Sequence, residues 1–107
     1  LFTGDASLHV EQLLTETFRD FLASDALKVG HHGSNTSSTA AFLHRVADET
    51  PFGVISVSRT NRFGLPDSEV LARLTRSGFM LRTTAEGAVW LRSNSRSVWE
   101  VDWRAVQ

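Results

Sequence analysis

Apolar residues at Val10, Leu13, Leu14, Phe18, Phe21 and Leu22 recur at spacings of three and four, the period of a helix, and predict one over residues 8–23 with Ser7 as N-cap. A short apolar run follows at residues 26–29 and stops at Gly30, reading as a strand. Phe42, Leu43, Val46 and Ala47 give a second helix over residues 39–47, closed off by the region of Pro51. Residues 53–58 form the best strand, β-branched and nearly continuous in apolar character, as expected where a strand is covered on both faces. Val70, Leu71 and Leu74 mark the inward face of a third helix over residues 67–77.

After Gly78 the rhythm changes. Residues 79–83 and 88–92 read as two strands joined by Thr84-Ala85-Glu86-Gly87 as a hairpin. Residues 98–103 alternate, with Trp99, Val101 and Trp103 on one face and Glu100 and Asp102 on the other, which predicts a strand with one wet face. No internal repeat, linker or low-complexity tract interrupts the chain. Its first residues, Leu1-Phe2-Thr3-Gly4-Asp5, read as the end of a strand and a turn, so the expectation is that further polypeptide precedes them.

Strand and helix alternate, which is an α/β pattern. In such sheets binding sites gather outside the carboxyl ends of the strands. Three loops belong there: Gly4-Asp5, residues 31–38 and residues 59–66. A carboxylate, two imidazoles and an arginine-asparagine loop are thereby expected to converge from distant parts of the chain.

Composition narrows the chemistry. The 107 residues suffice for one domain or part of one, with 41% apolar and 21% charged residues, close to the averages for folded proteins. No apolar run approaches the ~18 residues that cross a bilayer, and no signal-peptide pattern is present. Without cysteine, metal ligation falls to His, Asp and Glu. The net charge of -1 conceals an asymmetry: three cationic side chains face seven acidic ones up to Ser58, whereas eight arginines face five acids from Arg59 onward. The second half is therefore the one suited to an anion.

Imidazole and carboxylate together bind zinc, manganese or iron, and a carboxylate can bridge two ions. Such an ion pair can activate water against a phosphodiester. Asp5 suits bridging; one of His31 and His32 suits terminal ligation, the other orientation of its neighbour or donation to substrate. Gly30 and Gly33 flank the histidines and permit the positive φ that a loop wrapping an ion needs. Ser34, Arg59, Asn61 and Arg62 are candidate substrate contacts, Ser37 or Ser38 candidate helix caps, and His9 and His44 solvent-facing. No Gly-x-Ser-x-Gly elbow, phosphate-cradling loop or dinucleotide fingerprint competes.

These residues carry a resemblance. Phe2-Thr3-Gly4-Asp5, Leu27-Lys28-Val29-Gly30-His31-His32-Gly33-Ser34 with Thr36-Ser37-Ser38, Ile55-Ser56-Val57, Asn61-Arg62-Phe63-Gly64 and Glu69-Val70-Leu71, with Arg82-Thr83 and Gly87-Ala88, are similar in order to the C-terminal half of the metallo-β-lactamase-like domain of the ComEC family, bacterial competence proteins of DNA uptake. It covers residues 1 to about 92. The resemblance implies that residues 1–107 are the C-terminal portion of a single such domain, half of an αββα sandwich, in a metal-dependent nuclease with two ions, Mn or Zn, in the complete domain. It places Asp5 on the family's bridging aspartate and His31 on its late histidine ligand, with His32 beside it, so that Asp5, His31 and His32 are the catalytic candidates.

It further implies single-stranded DNA as partner, a transmembrane channel elsewhere in the same polypeptide, and a soluble position on the outer face of a bacterial inner membrane, with no insertion by this chain. Two departures stand out: the family's Gly-His-Pro is here Gly64-Leu65-Pro66, and its early His-x-His-x-Asp-His motif has no counterpart in these residues. The chain alone is accordingly expected to bind metal weakly and hydrolyse little. A stand-alone hydrolase of a small ester or phosphodiester, and a non-catalytic DNA- or partner-binding domain, are the competing expectations.

Overall fold

The computed structural model describes residues 1–105. The order is α1 (Leu8–Phe18), a 3-10 turn (Arg19–Leu22), β1 (Ser24–Lys28), a 3-10 segment (Gly30–Gly33), α2 (Ala40–Val46), β2 (Ala47–Ile55), α3 (Ser68–Arg76), β3 (Met80–Thr83), a 3-10 turn (Thr84–Glu86), β4 (Trp90–Ser93) and β5 (Val98–Val101). Strands β1, β2 and β3 form a parallel sheet in that order. Phe2 makes a parallel bridge to Lys28, so the first residues add a short stub on the far side of β1. All four segments run the same way and end on one edge. The expected α/β architecture is therefore present, with a parallel sheet at its centre.

The core is what the helical and strand periods require. Phe42, Leu43 and Val46 of α2 and Val70 and Leu74 of α3 pack with Leu27, Val29, Ile55 and Phe79 from the sheet and its ends. Each such fully buried side chain contributes about 1.5–3 kcal/mol relative to exposure. Thr39 caps α2 by accepting the Phe42 N–H, and Asp67 caps α3 by accepting the Glu69 N–H. The expected caps Ser37 and Ser38 are instead buried.

Four sequence expectations are corrected. The first helix shortens to α1 and a 3-10 turn, because Arg19 takes a φ of 46° and breaks the α ladder. Its apolar stripe mostly faces outward: Val10, Leu13, Phe18 and Phe21 are exposed, Phe21 by 88%, and only Leu22 is fully buried. The helix turns Glu11 inward instead.

The second helix ends at Val46, and β2 begins at once, earlier than residue 53 and running through Pro51. The register of β2 on β1 jumps between the pairs Ser24–Ala47 and Ala26–Phe52, an irregularity that accommodates a residue lacking an N–H.

Residues 79–83 do not form a hairpin with 88–92. β3 pairs in parallel with β2, while β4 pairs antiparallel with β5 as a separate two-stranded sheet. Gly53 makes this possible, since a Cβ there would lie 3.1 Å from Leu81 and 3.4 Å from Phe79. Finally, the last strand stops at Val101, where Asp102 accepts the Arg104 N–H at 2.9 Å and starts a turn, so Trp103 lies beyond it. The Arg82–Glu100 ion pair, 2.6 Å, ties the small sheet to β3.

Among the described residues no helix is long and apolar enough to cross a membrane.

Candidate functional site

The loops that follow the parallel strands meet at the shared edge. His31 donates its backbone N–H to the carbonyl of Gly4 at 3.0 Å, which brings the turn carrying Asp5 against the histidine pair. Gly30 is needed here for space: a Cβ would meet the Thr3 hydroxyl at 3.3 Å. On the other side Asp67 donates its N–H to Gly33 at 2.9 Å, and a Cβ on Gly33 would lie 2.6 Å from the Pro66 Cβ. The histidine loop is thus seated between the Gly4-Asp5 turn and the base of the 59–66 loop, as the strand order led one to expect.

The backbone does this by an unusual route. His31 and His32 themselves adopt left-handed conformations, φ 48° and 56°, and Gly33 continues with φ 80°. The sequence assigns that freedom to the glycines; of the two, only Gly33 uses it. A left-handed residue with a side chain costs about 1–2 kcal/mol, and strain of this kind collects at functional sites.

The two imidazoles are oriented from behind. His32 Nδ1 lies 2.6 Å from the carbonyl oxygen of Ser56, just past β2, and because a carbonyl only accepts, Nδ1 carries the proton. In the neutral ring the lone pair is then on Nε2, the state of a metal-ligating imidazole whose other nitrogen is held by a carbonyl. His31 Nδ1 lies 3.1 Å from the Thr36 hydroxyl, itself 3.0 Å from that of Ser34. The ring centroids are 6.5 Å apart and tilted by 56°, so the rings do not stack. Asp5 and His32 are exposed and His31 is half-buried.

The remaining candidates separate. Ser34 spends its hydroxyl inside the loop, on Thr36 and its N–H. Arg59 and Arg62 are exposed on the neighbouring loop, Arg62 with its guanidinium 5.1 Å from the Phe63 ring centroid. Asn61 is committed to the backbone: its amide donates to Ser58 and Leu65 and accepts the Leu65 N–H at 2.9 Å, which closes the loop at its base. Leu65, where the ComEC pattern has histidine, lines an apolar depression with Val57, Pro66 and Leu81.

Glu11 is the residue that sequence reasoning missed. It is 0% exposed, and its carboxylate accepts the N–H groups of Ser38 at 2.6 Å and Thr39 at 2.9 Å. From α3, Arg73 donates to the side chain of Asn35 and the carbonyl of Ser37, while Ser37 donates to the carbonyl of Ala6 at 2.5 Å. Residues 35–39, including the Thr36 that faces His31, are gripped from three directions. Burial pushes the Glu11 carboxyl above its ordinary range, against the backbone N–H groups and Arg73, which pull it down. The helical period does not mark it, because Glu11 shares its face of α1 with Phe18, which is exposed.

Two imidazoles with a carboxylate-bearing turn beside them are the donor types that divalent ions take. They do not by themselves make an ion site: among the described residues no three His, Asp, Glu or Cys side chains are grouped closely enough to hold an ion.

The chain is 35% identical over 97 residues to ComE operon protein 3 of Bacillus subtilis (strain 168), an overlap of 90% of this chain and 12% of that protein. It is 38% identical over 90 residues to Competence protein ComA of Neisseria gonorrhoeae, covering 83% of this chain and 13% of the relative. With Recombination protein 2 of Haemophilus influenzae it shares 36% identity over 85 residues, 79% of this chain and 10% of the other. The chain therefore spans only about an eighth of the length of these relatives. No family model matches it, and no solved structure matches it.

Proposed function

We propose that this chain is the C-terminal portion of a metallo-β-lactamase-like domain of the ComEC family, half of an αββα sandwich, and that the complete domain hydrolyses phosphodiester bonds of DNA during transformation. The names of the competence and recombination relatives support the role in DNA uptake. The observation that carries the chemistry is the His32–Ser56 contact, which fixes an imidazole with its Nε2 lone pair available beside the Asp5 turn. Asp5 with His31 or His32 would hold the metal. When bound, a divalent ion supplies Lewis acidity and a hydroxide at neutral pH.

The chain's own residues prepare that site. Ser56 sets the tautomer of His32, Thr36 sits against Nδ1 of His31, and Glu11 and Arg73 hold the loop that carries Thr36. Arg59 and Arg62, exposed on the neighbouring loop, would draw phosphate in. The remaining ligands belong to polypeptide outside these residues, in a protein anchored in the bacterial inner membrane with this domain on its outer face. Complete domain with manganese should degrade single-stranded DNA, and Asp5→Ala should abolish it; equal activity of the two would sink the nuclease reading.

A non-catalytic DNA- or partner-binding unit is the second reading, favoured by the absence of a three-ligand group among the described residues. Complete domain that binds neither manganese nor zinc would establish it over the first.

A further inference from the structure

The 59–66 loop holds a feature that metal chemistry does not use. Phe63 is 70% exposed, at the tip of a loop containing two arginines and no acid. A large apolar ring in water normally signals either a mobile tip or a contact surface, and the hydrogen bonds here decide between them. Asn61 bridges Ser58 and Leu65 with three hydrogen bonds, so residues 62–64 are a short protrusion closed at its base. That base is fixed to the histidine loop by the Gly33–Asp67 hydrogen bond and the close approach of Gly33 to Pro66. Phe63 is consequently presented on the same edge as His31 and His32, at a position set by the fold.

We infer that the 59–66 loop is a single-strand binding element, in which a nucleobase stacks on Phe63 while Arg59 and Arg62 meet the flanking phosphates. Three observations single out this occupant. The Phe63 ring offers a π-face, which any unpaired base can stack on without sequence preference. The Arg62 guanidinium lies over one face of the ring, 5.1 Å from its centroid, so a base stacking on the opposite face would have a cation close by for its phosphate. The loop's charge is wholly positive, complementary to a polyanion rather than to a mixed protein surface. Beside it, the apolar depression of about 370 Å³ that Leu65 lines, with Arg59 at its wall, gives an adjacent base a second dry surface. A duplex hides its base faces and gains only the phosphate contacts.

This inference deepens the DNA reading and rests on it for the ligand class, but it needs no metal. Binding of a fluorescent oligothymidylate to the chain is therefore measured by anisotropy in EDTA. Phe63→Ala should weaken binding roughly five-fold to a hundred-fold, and Phe63→Trp should restore it. Arg62→Ser should flatten the salt dependence by about one unit of slope. Because Phe63 is so exposed, both of its variants should unfold at the wild-type temperature.

Wild-type binding by Phe63→Ala, no oligothymidylate binding by the wild type, or equal affinity for a duplex of the same length would each overturn the inference and leave the metal reading standing. So would self-association of the chain that Phe63→Ala relieves, which would mark a protein-facing surface.

Discussion

His32 gives its Nδ1 proton to the carbonyl oxygen of Ser56 across 2.6 Å, although the two are separated by 24 positions in the chain. One hydrogen bond between the end of β2 and the histidine loop thus sets the tautomer, and with it the nitrogen that faces outward. His32→Asn, which tolerates the left-handed backbone, is expected to lower the manganese affinity of the complete domain at least about ten-fold by calorimetry while leaving its melting temperature within a few degrees. His32→Ala should show the same affinity loss plus about 1 kcal/mol of instability from the backbone alone.

Glu11 should prove a stability residue with a distinctive pH signature. Glu11→Ala leaves the Ser38 and Thr39 N–H groups without their acceptor and is expected to cost about 2–4 kcal/mol in urea denaturation. The folded chain holds the Glu11 proton more tightly than the unfolded chain, whose carboxyl sits near 4.5. Its contribution is therefore full at low pH and declines as pH rises through the raised folded value. Wild type should lose stability relative to Glu11→Gln as pH rises from about 4.5 through the raised folded value; a wild type that held or gained stability relative to Glu11→Gln over that rise would contradict the assignment.

Two glycines with positive φ should behave differently. Gly4 (φ 57°) has nothing within 4 Å of a built Cβ, so Gly4→Ala should cost only the backbone term of about 1 kcal/mol. Gly33 (φ 80°) adds a 2.6 Å clash with Pro66, and Gly33→Ala should cost about 2–4 kcal/mol and loosen the two loops together, visible as faster hydrogen exchange at the Asp67 amide.

Asn61 is predicted to act on DNA only through Phe63. Asn61→Ala removes three hydrogen bonds at the loop base, so oligothymidylate affinity should fall about as far as for Phe63→Ala, with metal affinity unchanged. A double variant no weaker than either single one would confirm a shared path.

The α/β order and the meeting of the three loops were legible in the sequence because both follow from period and direction: a strand that ends at Gly30 and another that ends near Ser58 must deliver their loops to one edge if they are parallel. The partner of β3 was not legible, since the Thr84–Gly87 turn signal is local while pairing is decided by Phe79 and Leu81 fitting over Gly53. Nor was the orientation of α1, whose richest apolar face is left in water so that a carboxylate can reach two amides on another loop. Side-chain count predicts burial only where nothing polar competes for the inward position. The left-handed histidines likewise escape a reading that looks to glycine for positive φ.

The site has no local precursor. Its anchoring bonds join Gly4 to His31, His32 to Ser56 and Gly33 to Asp67, so the set is complete only when the first stub, β1, β2 and the start of α3 are in place. Assembly of the histidine loop thus depends on contacts between distant segments, whose loop-closure entropy must be met before they can form, unlike the local turns and helices around it.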